Sequence, residues 1–282
     1  MAGPLEGRVA FVTGGGGGLA EGICARLAAD GASVAAVDVS REKAERVAGL
    51  AEANGASAIA LEVDVSDGSS VEAAVSDVAR ELGGVDILVN NAAVYPRRPW
   101  TEIEEEEWDR VMAVNLKGYF LCARAVYPFM KERGRGNIVN VASITFFVGW
   151  TLLLDYVASK GGIVGFTRTL AREVGPDNIN VNAIAPGAFP TDAEKIHPDQ
   201  EGYNRWVLEH QALRCARRYR QPRRVSGLRR LVLRNGPDHR HRRRLDDALE
   251  TGETVTETAT RERKERRGQP PLGTLVVRSD ND

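Results

Sequence analysis

The chain has 282 residues, enough for one large α/β domain with a well-buried core. Its net charge of −1 hides a division. Residues 1–213 carry 19 Lys and Arg against 29 Asp and Glu, whereas residues 214–282 carry 19 against 10. Three scattered cysteines, Cys24, Cys122 and Cys215, favour reduced thiols in a cytoplasmic protein and suggest no metal site. We expect neither a signal peptide nor a membrane span, because the sequence lacks a suitable apolar run.

Short apolar runs alternate with amphipathic stretches through the first 190 residues. We expect strands at 9–12, 33–38, 58–63, 85–90, 137–141 and 179–184, and helices at 18–30, 41–53, 69–82, 104–108, 109–132 and 156–174. Thr101 and Glu104 have the spacing of a capping box for the fourth helix. The alternation predicts an α/β fold in three layers, with a doubly wound parallel sheet between helices.

A glycine-rich loop separates the first strand from the first helix. Thr13 is followed by Gly14–Gly18 and then by Leu19. Glycines at this place allow a tight turn and a close approach of the backbone to a pyrophosphate, which the free N–H groups of the helix then bind. A merely flexible turn is the alternative. The strand–loop–helix context favours a dinucleotide site.

Asp38 ends the second strand, where a carboxylate can hydrogen-bond the ribose diol of adenosine. A 2′-phosphate would be repelled, since each like charge about 4 Å away costs up to about 4 kcal/mol at an effective dielectric constant of about 20. No Lys or Arg lies in the glycine loop, and Arg41 is interpreted as a first-turn helix residue. We therefore expect NAD rather than NADP. The alternative is that Asp38 caps the following helix.

A serine stands thirteen residues before a Tyr-x-x-x-Lys motif, formed by Ser143, Tyr156 and Lys160. On a helix, Tyr156 and Lys160 lie on one face. An ammonium beside a phenol lowers the pKa of the phenol from about 10 and makes tyrosine usable as an acid or base. The motif alone is weak, because one turn of surface helix also explains it.

Taken in order, several motifs resemble the short-chain dehydrogenase/reductase family over residues 5 to about 213. They are the glycine loop, Asp38, Asn90-Asn91-Ala92-Ala93, Asn115, Ser143, Tyr156, Lys160 and Pro186-Gly187. The resemblance implies a Rossmann-type fold, a homotetramer and hydride transfer at the C4 carbon of a nicotinamide. Two positions depart from the usual glycine pattern, Ala20 and Ala93, and each adds only one methyl group.

The resemblance also implies residue roles. Tyr156 would exchange a proton with the substrate oxygen, Ser143 would hydrogen-bond it, and Lys160 would bind the nicotinamide ribose. Asn115 would help to hold a water that links Lys160 to solvent. The remaining cofactor contacts would be Thr13, Gly14, Gly16, Gly18, Leu19, Asp64, Val65, Asn91, Pro186, Gly187 and Thr191. Taken singly, Ser143 could be a strand-end serine, Asn115 a helix-kink residue and Asp64 a turn residue.

Aromatic residues are concentrated in the segments that line the substrate site of that family. They are Tyr95, Trp100, Phe146, Phe147, Trp150, Phe189 and Trp206. Apolar aromatic walls favour a hydrophobic or ring-containing secondary alcohol or ketone. Thr145 is a candidate polar contact to the substrate. Packing in the core or at a subunit interface is the alternative for the aromatic set.

The C-terminal segment, residues 214–282, is atypical, since 18 of its 19 cations are arginine. We expect it to be poorly ordered, so the sheet would keep an exposed edge. One interpretation is a basic tail that binds nucleic acid or another anion. The other, which we favour, is a reading-frame shift near residues 213–224. If His239–Arg244 is encoded CAC CGG CAC CGT CGT CGT, a one-base offset reads Thr-Gly-Thr-Val-Val, close to the family's missing strand.

Two functions compete at this point. The leading one is an NAD-dependent oxidoreductase that acts on a small secondary alcohol or ketone, as a homo-oligomer if the C-terminus is intact. The alternative is a non-enzymatic NAD-sensing or nucleic-acid-binding protein that uses the basic tail. The complete set Asn115, Ser143, Tyr156 and Lys160 favours the enzyme, because a sensor has no chemical need for it.

Overall fold

The computed structural model of the chain describes residues 3–187 and two short segments, 231–234 and 275–278. Its first six strands are β1 (Val9–Thr13), β2 (Ser33–Asp38), β3 (Ala58–Glu62), β4 (Ile87–Asn90), β5 (Gly136–Val141) and β6 (Ile179–Ala185). The helices are α1 (Leu19–Ala29), α2 (Arg41–Glu52), α3 (Gly68–Leu82), α4 (Glu105–Met112), α5 (Gly118–Glu132), α6 (Thr145–Val148) and α7 (Leu154–Val174). Among the residues described, no helix combines the length and apolarity needed to cross a bilayer.

The six strands are parallel and lie in the order β3-β2-β1-β4-β5-β6. The chain runs outward from β1 to β3 and then returns to the other side of β1 with β4. This reversal opens a crevice at the carboxyl ends of β1 and β4, the place where such sheets bind ligands. The predicted doubly wound, three-layer fold is confirmed.

Alternate residues of β1 show how both faces of the sheet are covered. Phe11 packs with the buried faces of α3, α5 and α7. Ala10 and Val12 point the other way and pack with α1 and α2. Burying a Val or Leu side chain stabilises the fold by about 1.5–3 kcal/mol, so these two cores hold the strand ends at fixed positions.

The start of α4 differs from the prediction. Its N-cap is Glu104, without a side-chain cap hydrogen bond. Thr101 lies in a separate 3₁₀ turn, Trp100–Glu102, so the predicted capping box is wrong. The predicted long helix at 109–132 is also divided, since a π-helical turn, Ala113–Lys117, joins α4 to α5. Helix α6 is an element that the sequence did not predict.

Two strands of the C-terminal segment extend the sheet beyond β6. Strand β8 (Leu275–Arg278) pairs antiparallel with β6, and β7 (Leu231–Arg234) pairs parallel with β8. The structure therefore differs from the expected exposed edge at β6, because β8 pairs with four residues of that strand. The rest of the Arg-rich segment lies outside the described residues.

A buried carboxylate lies at the amino end of β4. Asp86 accepts a hydrogen bond from the Val9 N–H at 3.0 Å and pairs with Arg133 at 2.5 Å, Arg135 at 3.2 Å and Arg8 at 3.3 Å. Burial acts to raise the pKa of Asp86, but the Val9 N–H and the arginines outweigh it, so the pKa lies below its usual value. This cluster ties β1, β4 and β5 together at the edge opposite the crevice.

Candidate active site

The carboxyl edge of β4 and β5 brings the predicted catalytic residues together. Ser143 follows β5, Tyr156 and Lys160 lie on α7, and Asn115 lies in the π-helical turn. Tyr156 is hydrogen-bonded to Ser143, and the Lys160 Nζ lies 5.6 Å from the centre of the Tyr156 ring. Ser143, Lys160 and Asn115 are all buried. The site is thus a compact set of polar groups in a poorly solvated place.

The phenol of Tyr156 keeps its proton at neutral pH in this structure. Burial raises its pKa above 10.0, and the hydrogen bond from Ser143 only partly opposes that effect. The direction is opposite to the lowering expected from the Tyr-x-x-x-Lys motif, because desolvation is the largest influence on the phenol. The ring packs edge-on against Tyr95, with centroids 5.7 Å apart. The ring of Tyr156 is therefore held against Tyr95, and its hydroxyl keeps its proton near neutral pH.

Lys160 is a buried amine that is 1% exposed. Its Nζ donates to the Val141 carbonyl at 2.7 Å and to the Tyr119 hydroxyl at 2.9 Å. Burial lowers the pKa of Lys160 from 10.5 to about 7. At neutral pH the amine is therefore poised between its two protonation states, and small changes in its surroundings shift its charge.

Asn115 holds the loop after β4 in place. Its side-chain oxygen accepts from the Val94 N–H and its amide donates to the Val94 carbonyl, both at 2.8 Å. The amide also donates to Ser159 at 3.2 Å, and the Ser159 hydroxyl donates to the Tyr156 carbonyl at 2.7 Å. Asn115 thus connects the loop after β4 to α7, the helix that carries Tyr156 and Lys160. The water that it was expected to help hold stays a prediction.

Thr145 contacts Ser143, the predicted catalytic serine. Its hydroxyl donates to Ser143 Oγ at 2.8 Å, and its N–H approaches the same oxygen at 3.2 Å. Ser143 Oγ is thus held by the first turn of α6 while it hydrogen-bonds Tyr156. Thr145, which was predicted to contact the substrate, therefore also orients Ser143.

The glycine loop leaves no space for side chains at two of its positions. A Cβ on Gly14, where φ is 59°, would lie 2.7 Å from the Ala92 Cα. A Cβ on Gly16 would lie 2.5 Å from the Lys43 Cβ and 2.8 Å from a carboxylate oxygen of Asp38. Gly18 is the N-cap of α1, which begins at Leu19 and points its N-terminus into the crevice. This shape fits a pyrophosphate lying against bare backbone.

Thr13 and Asn91 lock the loop to the end of β4. The Thr13 hydroxyl accepts from the Asn91 N–H at 2.9 Å and from the Ala92 N–H at 3.1 Å. The Asn91 amide donates to the carbonyls of Thr13 and Gly14 at 3.1 and 3.2 Å. Both predicted cofactor residues are therefore part of the hydrogen-bonded structure that shapes the glycine loop.

Asp38 faces the glycine loop. Its carboxylate accepts from the N–H groups of Gly16 and Ser40, each at 3.0 Å. Ser40, not Asp38, is the N-cap of α2, which removes the alternative interpretation of Asp38 as a cap. The adjacent Arg41 pairs with Glu45 at 2.9 Å, as a first-turn helix residue would.

Sequence reasoning missed one cation beside this loop. Arg46 donates to the Gly16 carbonyl at 3.0 Å and pairs with Glu21 at 3.1 Å. Its position on the second turn of α2 offered no motif, because only the packing of α2 against α1 brings it to the loop. The pairing with Glu21 offsets the positive charge that Arg46 brings.

The remaining predicted contacts lie around the same crevice. Asp64 is exposed, and its carboxylate accepts from Ser66 N–H and Oγ at 2.9 and 2.7 Å, while Val65 is buried. The Pro186 carbonyl, after β6, accepts from the Ile144 N–H at 3.3 Å, and Gly187 follows it. Among the predicted aromatics, Tyr95, Trp100, Phe146 and Phe147 expose 37–71% of their surface. Thr191, Phe189 and Trp206 lie outside the described residues.

Known proteins share this fold and these motifs. The short chain dehydrogenase family profile matches residues 8–202. The 5-keto-D-gluconate 5-reductase of Escherichia coli strain K12 is 34% identical over 205 residues, which cover 73% of this chain and 81% of that enzyme. Two solved structures are NAD⁺-bound xylitol dehydrogenase, 33% identical with a TM-score of 0.66, and levodione reductase, 34% identical with a TM-score of 0.69. The match to xylitol dehydrogenase covers 68% of this chain and 75% of that protein, and the match to levodione reductase covers 73% of this chain and 83% of that protein.

The chain belongs to the short-chain dehydrogenase/reductase family. It is an oxidoreductase that acts on the CH–OH group of an alcohol, or on the corresponding ketone, with a nicotinamide dinucleotide. The predicted family and enzyme class are confirmed.

Proposed function

We propose that the protein is an NAD-dependent oxidoreductase that transfers a hydride between nicotinamide and a secondary alcohol or ketone, with Tyr156 as the acid or base. The observation that carries the proposal is the position of the half-buried Tyr156 beside the buried Ser143 and Lys160 at the carboxyl edge of the sheet. When bound, the nicotinamide supplies or accepts the hydride at its C4 carbon.

In ketone reduction, Tyr156 donates its proton to the carbonyl oxygen and Ser143 donates a hydrogen bond to the same oxygen. The raised pKa of Tyr156 keeps that proton in place near neutral pH. In alcohol oxidation, Tyr156 must first lose its proton, and a protonated Lys160 beside it favours that loss. Reduction is therefore expected to have the lower pH optimum.

Asp38 is proposed to select NAD. A ribose diol can donate to its carboxylate, which faces Gly16, whereas a 2′-phosphate meets a negative charge. Arg46 lies near enough to attract a phosphate, but its pairing with Glu21 weakens that attraction. The NAD⁺-bound xylitol dehydrogenase supports this choice by likeness.

The substrate is proposed to be a ring-containing or otherwise hydrophobic secondary alcohol or ketone. Tyr95 stands edge-on to the catalytic tyrosine, and Phe146 and Phe147 pack 4.9 Å apart just after the catalytic serine. Such faces bind rings. Levodione reductase supports this class by its name. The likeness to 5-keto-D-gluconate 5-reductase and to xylitol dehydrogenase favours a second class, polyhydroxylated substrates.

The protein is further proposed to be cytoplasmic and to assemble as a homotetramer. An apolar groove of about 680 Å³ lies among α4, the π-helical turn, α5 and α7. Phe120 lines it and is 47% exposed. Asp109 and Lys117 border it, so a two-fold-related copy could present opposite charges. Residues 1–213 are proposed to be the catalytic domain, with a small molecule rather than a nucleic acid as its partner.

Activity measurements test the proposal directly. NADH absorbance is followed with NAD and NADP in parallel, over panels of cyclic, aromatic and polyhydroxylated secondary alcohols. Turnover should be higher with NAD and with the cyclic panel. It should fall by about 10²–10⁴-fold in Tyr156→Phe. Unchanged turnover in this variant would refute the role of Tyr156, and preference for polyols would select the second class.

A matched pair of glycine variants tests the cofactor cradle. Gly14→Ala places a methyl against the Ala92 backbone at a positive φ, whereas a Cβ on Gly17 meets nothing closer than Arg46 at 3.6 Å. We expect Gly14→Ala to weaken NADH binding at least tenfold in fluorescence titrations and Gly17→Ala to leave it nearly unchanged. Equal affinities in the two variants would contradict a backbone-lined pyrophosphate site.

A further inference from the structure

Lys160, Tyr119 and Val141 form a closed set of hydrogen bonds beneath the catalytic tyrosine. The Lys160 Nζ donates to the Tyr119 hydroxyl at 2.9 Å and to the Val141 carbonyl at 2.7 Å. The Tyr119 hydroxyl donates to the same carbonyl at 3.0 Å. The ring of Tyr119 adds a cation–π contact, with Nζ 5.0 Å from its centroid.

The position of Tyr119 makes this contact rigid. It is the second residue of α5, directly after the π-helical turn that carries Asn115, and it is 1% exposed. Packing fixes its ring, so its oxygen stays where the ammonium can reach it. The phenol's own proton already has an acceptor in Val141, which leaves an oxygen lone pair free to accept from Lys160.

No carboxylate balances the charge of Lys160 among the described residues, since none of their ion pairs includes it. The titratable groups that face it are Tyr119 from α5 and Tyr156 from its own helix, while β5 supplies only the Val141 carbonyl. An ammonium in such a site depends on dipoles to keep its proton. Among the described residues, the Tyr119 hydroxyl and the Val141 carbonyl are the two dipoles that accept a hydrogen bond from it.

We propose that Tyr119 is a positioning residue for Lys160, which holds the charged amine and aims its remaining N–H toward the cofactor ribose. The proposal rests on the function proposed above for the ribose contact. The Tyr119 hydroxyl and the Val141 carbonyl take two of the three N–H bonds of the ammonium, so its rotation is fixed. A purely structural Tyr119 would stabilise the fold through its ring without influencing the charge of Lys160.

The test is a direct titration of the lysine. Protein with ¹³C at the lysine Cε carbons is followed by NMR from mildly acidic to alkaline pH, without cofactor. Lys160 is one of six lysines in the chain and is assigned with Lys160→Arg. Tyr119→Phe removes the hydroxyl and keeps the ring. Tyr127→Phe is the matched control, because Tyr127 also lies on α5 and also accepts from a lysine, Lys131 Nζ at 3.1 Å.

In Tyr119→Phe we expect the titration midpoint of Lys160 to fall by about one pH unit, since a hydrogen bond to the charged form is lost. In Tyr127→Phe the midpoint of Lys160 should stay and that of Lys131 should fall, because the hydrogen bond that Lys131 donates to Tyr127 raises the Lys131 pKa. The KM for NAD should rise severalfold in Tyr119→Phe, and the pH profile of alcohol oxidation should move to higher pH.

An unchanged Lys160 midpoint in a folded Tyr119→Phe protein would overturn the proposal. If that variant does not fold, Tyr119→Met supplies the same test with another side chain that lacks the hydroxyl. A shifted midpoint in a protein without turnover on any panel would refute the proposed function and still support the contact between Tyr119 and Lys160. If the midpoint shifts but the KM for NAD and the pH profile stay unchanged, Tyr119 does not aim Lys160 toward the cofactor ribose, and that part of the proposal is overturned.

Discussion

Two buried charges stand at opposite edges of the sheet and differ in how they are compensated. Asp86, at the amino edge, has three arginines and a backbone N–H around it. Lys160, at the carboxyl edge, has a carbonyl and a phenol but no carboxylate among the described residues. Burial lowers the pKa of Lys160 to about 7, whereas the pKa of Asp86 is held below its usual value.

Asp86 is therefore a charge that stabilises the fold, whereas Lys160 is a charge that can change with pH. A buried carboxylate with full compensation stays ionised and ties strands together. A buried amine with weak compensation changes its protonation state within the physiological range, which is useful in catalysis and costs stability. The comparison predicts opposite consequences when each side chain is removed.

The largest expected effect is at the amino edge. Asp86→Ala leaves three arginine side chains near one another without their carboxylate, and we expect a loss of about 3 kcal/mol in the free energy of unfolding. Urea denaturation measures it. Asp177→Ala is the control, because Asp177 pairs at the surface with Lys131, and its loss should be much smaller. If the two variants lose comparable free energies of unfolding, Asp86 does not have the stabilising role that the comparison assigns to it.

The contribution of Asp86 also has a defined pH window. Its folded-state pKa lies below the usual 3.8, so its stabilisation is complete above that value. It is lost as the pH falls through the lower folded-state pKa. The stability gap between wild type and Asp86→Ala should therefore shrink only in strong acid.

Lys160→Met should stabilise the folded protein, whereas Asp86→Ala destabilises it. An unfolded lysine keeps its proton up to about pH 10.5 and the buried one only up to about 7, so the unfolded state binds more protons between these values. Burial therefore costs most below pH 7. We expect the variant to be more stable by roughly 2 kcal/mol at pH 6, with a gain that declines toward pH 10, and to be almost inactive. A gain that does not vary with pH would contradict the titration argument.

Asp38 offers a third charged group for the comparison, placed at the same edge as Lys160. Asp38→Ser removes the negative charge that faces the glycine loop and leaves Arg46 nearby. We expect the ratio of kcat/KM for NAD over NADP to fall by about 10–100-fold. Adding Glu21→Ala should lower the ratio further, because Arg46 then loses its partner. An unchanged ratio in both variants would show that Asp38 does not select the cofactor.

The smallest expected effect concerns the reactivity of two buried thiols, Cys24 and Cys122, which stay neutral. Burial raises the pKa of Cys24 and of Cys122 to about 12, so both thiols lack their reactive thiolate form near neutral pH. Cys215 lies outside the described residues. We expect thiol reagents to leave Cys24 and Cys122 unmodified at pH 8 until urea unfolds the protein. Mass spectrometry of the labelled peptides checks this, and rapid native labelling of either would contradict it.

Much of the fold could be predicted because its determinants are local. The apolar runs and flanking glycines around β1 and β2 place those strands within one residue of their observed ends. The order of Asn115, Ser143, Tyr156 and Lys160 identified residues that the fold then brings to one edge. These features depend on short sequence patterns, which a single chain displays openly.

The rest depends on packing between distant segments. Tyr119 and Lys160 are 41 residues apart, and nothing in either neighbourhood indicates that they meet. Arg46 reaches Gly16 across 30 residues for the same reason. The direction of the Tyr156 pKa also escaped prediction, because burial raises it by more than the hydrogen bond with Ser143 lowers it. Such effects are set by tertiary contacts rather than by periodicity.

The π-helical turn at Ala113–Lys117 holds one more residue than an α-helical turn would. Deleting a single residue there would restore a continuous α-helix and rotate everything on one side by about 100° relative to the other. Asn115 could then no longer bond the Val94 backbone, or Tyr119 could no longer face Lys160. The extra residue therefore sets the angle around the helix axis between Asn115 and Tyr119, so that each faces its own partners.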